Sequence, residues 1–136
     1  VESNKQTAST KLPNPLDNYA SGFFRFAAEV LAWIFGPWAA AHLTNQWWIA
    51  IPALILIVGS HAIFSVPGDK KKVAVPVSGR TRFVNEIAIY GIAIAGPAWV
   101  IGPIGLIIGI AVTIIAIFAG WERYKWLLSN KPAYWV

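Results

Sequence analysis

The sequence has no cysteine and no methionine. Without cysteine it can form no disulfide, thiolate metal site, cysteine nucleophile or covalent c-type haem, and the redox state of its compartment leaves no trace in it. Charge is scarce as well: Asp, Glu, Lys and Arg make up 12% of the chain. They are missing altogether from residues 30–68, between Glu29 and Asp69, and from residues 87–121, between Glu86 and Glu122. Each charge-free stretch is nearly twice the ~20 apolar residues that one helix needs to cross a bilayer, so each is expected to hold two spans and a turn. No serine, histidine and acid arrangement supports hydrolysis, no glycine-rich phosphate loop is present, and no Glu-x-x-His pairing provides a carboxylate metal centre. These absences point away from an enzyme and give no metal ligands.

What is there is apolar. Of 136 residues, 57% are hydrophobic, and the mean hydropathy is +0.56, outside the range of ordinary soluble domains. The expected fold is an all-α membrane protein, four transmembrane helices arranged as two parallel-repeat helical hairpins. A polar N-terminal tail over 1–21 lacks the apolar centre of a signal peptide. Spans follow at about 22–41, 47–66, 82–100 and 103–121, which together make a membrane domain over 22–121. An interfacial aromatic and basic tail over 122–136 ends the chain. The net charge of +5 lies outside the apolar runs, where it sets orientation rather than binding nucleic acid. Both short turns lack Lys and Arg, so the positive-inside rule puts both termini in the cytoplasm, with the chain a multi-pass protein of the cell's inner (cytoplasmic) membrane. Trp38, Trp47, Trp48 and Trp99 then mark the outer border and Trp121 and Trp126 the inner one, as amphipathic rings do.

One phrase occurs twice, Arg25-Phe26-Ala27-Ala28-Glu29 and Arg82-Phe83-Val84-Asn85-Glu86, each opening a charge-free run. Both enter from the same side, so the repeat is parallel, and a later Gly-Pro pair echoes it at Gly36-Pro37 and Gly96-Pro97. At a rise of ~1.5 Å per residue, Glu29 lies about 10 Å, His61 about 8 Å and Glu86 about 6 Å inside the inner border. Three titratable groups from three helices thus share one layer, and the cost of facing lipid turns them inward. One reading pairs Arg25 with Glu29 and Arg82 with Glu86 at i,i+4 spacing, which marks where each helix enters the bilayer and holds the bundle together. The other makes Glu29, Glu86 and His61, with Arg25 and Arg82, a pocket for a cation, a proton or a ligand headgroup.

His61, beside Gly59 and Ser60, also has the makings of a single axial ligand to haem or chlorophyll; no other cofactor is expected. Pro37, Pro52 and Pro97 each remove a backbone donor and are expected to kink their helices. Gly105 and Gly109 form a GxxxG pattern that suits helix packing inside the bundle and dimerisation equally.

The Arg-Phe-x-x-Glu opening at Arg25 to Glu29, its echo at Arg82 to Glu86, and the hairpin layout from about Phe23 to Trp121 resemble the YrdB-like family of small four-span bacterial membrane proteins. The resemblance implies a membrane bundle without a known reaction. A likeness to small multidrug resistance transporters is weaker, because both glutamates here have an arginine four residues before them. Three functions remain open: a non-catalytic accessory or scaffold subunit among other integral membrane subunits, a small proton- or cation-coupled transporter or channel using Glu29 and Glu86, and a pigment or haem holder using His61.

Overall fold

Asn18 opens the first helix by accepting a 2.8 Å hydrogen bond from the backbone N–H of Ser21, which satisfies one of the donors a helix start leaves free. From there α1 runs over Tyr19–Thr44 and closes on Asn45, which takes the left-handed conformation at φ 54°. The computed structural model describes residues 13–70 and 72–129. Within them 78% of residues are helical. A 3-10 turn at Trp47–Ile49 leads into α2 (Ala50–Ile63), and Phe64–Ser65 (β1) pairs in parallel with Val75–Pro76 (β2) across the intervening loop. The chain continues as α3 (Gly79–Ile101), α4 (Pro103–Ala119) and α5 (Trp121–Leu128).

The core is built from small residues. Along α1 the buried positions are Ser21, Ala28, Ala32, Gly36, Pro37 and Ala39, a three-and-four spacing that forms one face. Against it α3 buries Ile89, Tyr90, Ala93, Gly96 and Pro97 above Arg82 and Glu86. On α4 the buried set is Gly105, Gly109, Thr113 and Ala116. A Cβ on Gly105 would collide with the carbonyl of Pro97, and one on Gly109 with the carbonyl of Ala93 and, at 2.8 Å, with Cα of Ile94. The GxxxG pattern therefore serves the α3–α4 contact within the chain, where two backbones meet without intervening side chains.

The large apolar side chains lie outside. Phe23, Phe26, Ile34, Leu54, Ile55, Leu56, Ile104, Ile107 and Phe118 are all exposed, while Arg82, Arg123 and Glu86 are among the largest fully buried side chains. A water-soluble domain distributes these classes the other way round. Trp38, Trp47, Trp48, Trp99 and Trp121 are exposed, whereas Trp126 is buried at 9% because α5 turns it toward the core.

Two helices, α1 and α3, are long and apolar enough to cross a membrane. A third candidate combines α4 and α5, which are bent by 69° at Gly120, and Trp47–Ile63 is a shorter apolar helix. Several boundaries move from their sequence expectations. The second apolar helix ends at Ile63 rather than Val66, because β1 begins at Phe64. Pro52 sits in the first turn of α2 and interrupts nothing, since a first-turn residue has no donor to lose. Pro37 and Pro97 lie inside their helices. Of the two expected tails, residues 13–18 pack against the bundle and 121–128 form a helix, while residues 1–12 and 130–136 lie outside the described residues.

Candidate functional site

The buried charges converge where α2 ends, α3 begins and α5 folds back. Arg82, one turn into α3, donates from Nε to Glu86 Oε1 at 3.0 Å, the i,i+4 pair expected from the sequence. Its Nη1 also donates to the backbone carbonyls of His61 (2.8 Å) and Phe64 (2.6 Å). The last carbonyls of a helix lack intrahelical donors, and the guanidinium of a neighbouring helix here supplies them.

Arg123 approaches from α5 and grips two carboxylates at once. It donates to Glu86 from Nη1 (3.0 Å) and Nη2 (2.7 Å), and to Asp69 from Nε (2.8 Å) and Nη2 (2.5 Å). Tyr124 adds a hydroxyl donor to Glu86 Oε2 at 3.0 Å and meets the Tyr90 hydroxyl in a short contact. Glu86 thus accepts from four donors, which fill its lone-pair positions and suit the ionised form. Asp69, in the loop after β1, also accepts from Asn14 Nδ2 at 3.0 Å. Burial pushes the Asp69 carboxyl up, but the hydrogen bonds and charge of Arg123, with help from Asn14, outweigh burial and hold it below the ordinary aspartate value.

The first copy of the repeated phrase behaves differently. Arg25 does not pair with Glu29; it donates to Asp17 from Nη1 (3.1 Å) and Nη2 (2.8 Å) and to Ser21 Oγ (3.2 Å). Asp17 precedes the helix cap, close enough to hold Arg25 in a two-point grip and leave Glu29 to another partner. Glu29 Oε1 instead lies 2.5 Å from His61 Nε2. The i,i+4 reading is therefore right for Arg82 and Glu86 and wrong for Arg25 and Glu29.

Of the residues singled out from the sequence, Glu29, His61, Arg82 and Glu86 come together, Arg25 flanks them, and Gly105 and Gly109 lie apart in the α3–α4 seam. Arg25, Glu29, His61, Glu86, Ile89 and Tyr90 line a narrow crevice, none of it wide enough for a water molecule. An axial bond from His61 to haem or chlorophyll does not fit, because Nε2 is engaged by Glu29 and Arg82 and the ring is only 6% exposed. Among the described residues no three His, Asp or Glu side chains are grouped to hold a metal.

Sequence reasoning missed Asp69, Arg123, Tyr124 and Asn14. The signal for Arg123 is the periodicity of α5: positions 120, 123, 124 and 127 share one buried face, while Glu122 and Lys125 pair at 2.7 Å on the exposed one. An arginine and a tyrosine on the buried side of an amphipathic helix indicate a partner within the protein. Asp69 gave no such signal, since Pro67-Gly68-Asp69 is also an ordinary helix stop.

No protein-family model, curated protein or solved structure matches the chain. The likeness to the YrdB-like family accordingly rests on the two Arg-Phe-x-x-Glu phrases and the hairpin layout alone.

Proposed function

We propose that the chain is a non-catalytic integral membrane accessory or scaffold subunit, four apolar helices crossing the bilayer as two hairpins with both termini cytoplasmic. The observation that carries this reading is the closed state of the polar interior. Arg82, Arg123, Glu86 and Asp69 satisfy one another, and the crevice on the Glu29 side of Glu86 is too narrow for a water molecule, which suits a clasp. Around it lies an apolar perimeter rich in exposed tryptophan and isoleucine, suited to lipid and to helices of other subunits. Although α4 has only 17 residues, about 25 Å at the helical rise, it lies at the short end of the range for a span, and α5 then rests at the inner border.

Topology is directly testable because the chain has no native cysteine. Single substitutions Asn45→Cys and Gly102→Cys are expected to react with an impermeant thiol reagent from outside, and Ala74→Cys and Glu122→Cys only after the membrane is opened. For the accessory role, the test is native purification in mild detergent after crosslinking in the membrane. A defined larger assembly supports it; a chain that always travels alone contradicts it.

One observation favours a second reading, a small proton- or cation-coupled carrier. The Glu29–His61 contact lies on the crevice and is less enclosed than Glu86, with side-chain exposures of 15% and 7% against 1%. Dissipation of a proton gradient in liposomes by the wild type but not by Glu29→Gln would favour the carrier.

A further inference from the structure

Two neighbours of the His61 ring make opposite demands on one atom. Nε2 lies 2.5 Å from Glu29 Oε1 on α1 and 3.1 Å from Arg82 Nη2 on α3. A guanidinium nitrogen only donates and a carboxylate only accepts, while Nε2 carries either a hydrogen or an in-plane lone pair. With hydrogen on Nε2 the ring donates to Glu29, and the Arg82 N–H faces a position already filled. With Nε2 bare the ring accepts from Arg82, and two lone pairs face each other toward Glu29. A protonated Glu29 does not resolve the conflict, because its O–H and the Arg82 N–H would compete for one lone pair.

The surroundings make this an alternative rather than a compromise. Arg82 is held by Glu86 and by the carbonyls of His61 and Phe64, so it cannot withdraw. His61 Nδ1 is buried without a hydrogen-bond partner among the described residues, so no bond on the far side of the ring fixes its position. The charged and titratable groups around it are Arg25 and Glu29 from α1, Lys70 from the loop, and Arg82, Glu86 and Tyr90 from α3; Arg123 of α5 lies beyond Glu86.

We propose that His61 Nε2 is a proton-binding site shared with Glu29, and that its occupancy decides whether the imidazole ring bonds to Glu29 on α1 or to Arg82 on α3, the Arg82 bonds to the backbone at the end of α2 persisting in both states. In the occupied state the imidazolium donates from Nε2 to the Glu29 carboxylate. On release the Nε2–H bond breaks, its electron pair stays on nitrogen and accepts from Arg82, and the proton is lost to bulk solvent. The ring keeps its Nδ1 hydrogen and becomes neutral, and Glu29 remains a carboxylate. The site is independent of whether the chain carries anything across the membrane.

The test uses the chain with His42→Gln, which leaves His61 as its one histidine, labelled with 15N in histidine and arginine and placed in lipid nanodiscs. Across a pH series Nε2 is expected to pass in one step from an N–H with a strongly downfield proton to a bare nitrogen, with the Arg82 side-chain signal shifting in the same step. In Glu29→Gln the downfield proton is expected to be lost. A single Nε2 state at every pH at which the protein stays folded, a step that Arg82 does not follow, or a downfield proton that survives Glu29→Gln would each overturn the proposal. Should Glu29→Gln lower the yield of folded protein, the joint movement of Nε2 and Arg82 decides alone.

Discussion

The two copies of Arg-Phe-x-x-Glu have the same spelling and different partners. In α3, Arg82 and Glu86 bond to each other and both are almost wholly buried. In α1, Arg25 bonds to Asp17, Glu29 meets His61, and their side chains keep 16% and 15% of their exposure. The i,i+4 spacing places an arginine and a glutamate on one face in both helices; what lies opposite that face decides whether they pair. Opposite Glu86 is Arg123, which organises the cluster around the α3 copy. Opposite Glu29 is a histidine, and an aspartate upstream has already engaged Arg25.

This contrast can be broken most severely at Arg123. Arg123→Ala leaves Glu86 and Asp69 buried with too few donors, and a loss of about 3–5 kcal/mol in unfolding free energy is expected, measured by reversible denaturation in mixed micelles. Next in size is the difference between the two arginines themselves. Arg82→Ala removes donors from Glu86 and from two helix-end carbonyls and is expected to cost about 3 kcal/mol, against about 1–2 kcal/mol for Arg25→Ala, whose partner Asp17 can turn to water. Equal losses would mean that the phrases are equivalent after all. Glu29→Gln keeps the shape and removes the charge facing His61, for an expected loss of about 1 kcal/mol.

The smallest effect sharpens the comparison through pH. Because the Asp69 carboxyl is held below its ordinary value, its stabilising contribution is complete above the ordinary aspartate range and lost as pH falls through the lowered value. Acid unfolding of the wild type is therefore expected to steepen below that range. Asp69→Asn should flatten the acid limb, and Asp17→Asn, which acts on the α1 copy, should leave the Asp69 contribution in place.

Much of this architecture could be read in the residues. The charge-free stretches located four apolar helices, and the helical rise put Glu29, His61 and Glu86 in one layer, where the structure brings them together. The Arg82–Glu86 bond was legible because both partners lie on one helix. Tertiary contacts were not. Composition places Arg123 in an interfacial tail that leaves the bundle at Trp121, whereas the 69° bend at Gly120 turns α5 back under it. A Cβ at Gly120 would meet Ser21 Oγ at 2.8 Å, so the bend packs directly against the first turn of α1. Asn18 donates to the carbonyl of Ala119 at 2.7 Å and fastens the same corner, a contact across the chain's length that spacing does not encode. Composition places Asp17 and Asn14 in a polar tail, yet Asn14 lies opposite the buried Asp69 and Asp17 opposite the partly exposed Arg25.

The most direct measurement is a double-mutant cycle on Glu86→Gln and Arg123→Gln, with unfolding free energies taken in the same micelles. A clasp of mutually satisfied charges predicts that the double variant is more stable than the sum of the single losses allows, by about 2–3 kcal/mol. Losses that add to within about 0.5 kcal/mol would show that the two side chains do not act together, and would contradict the account.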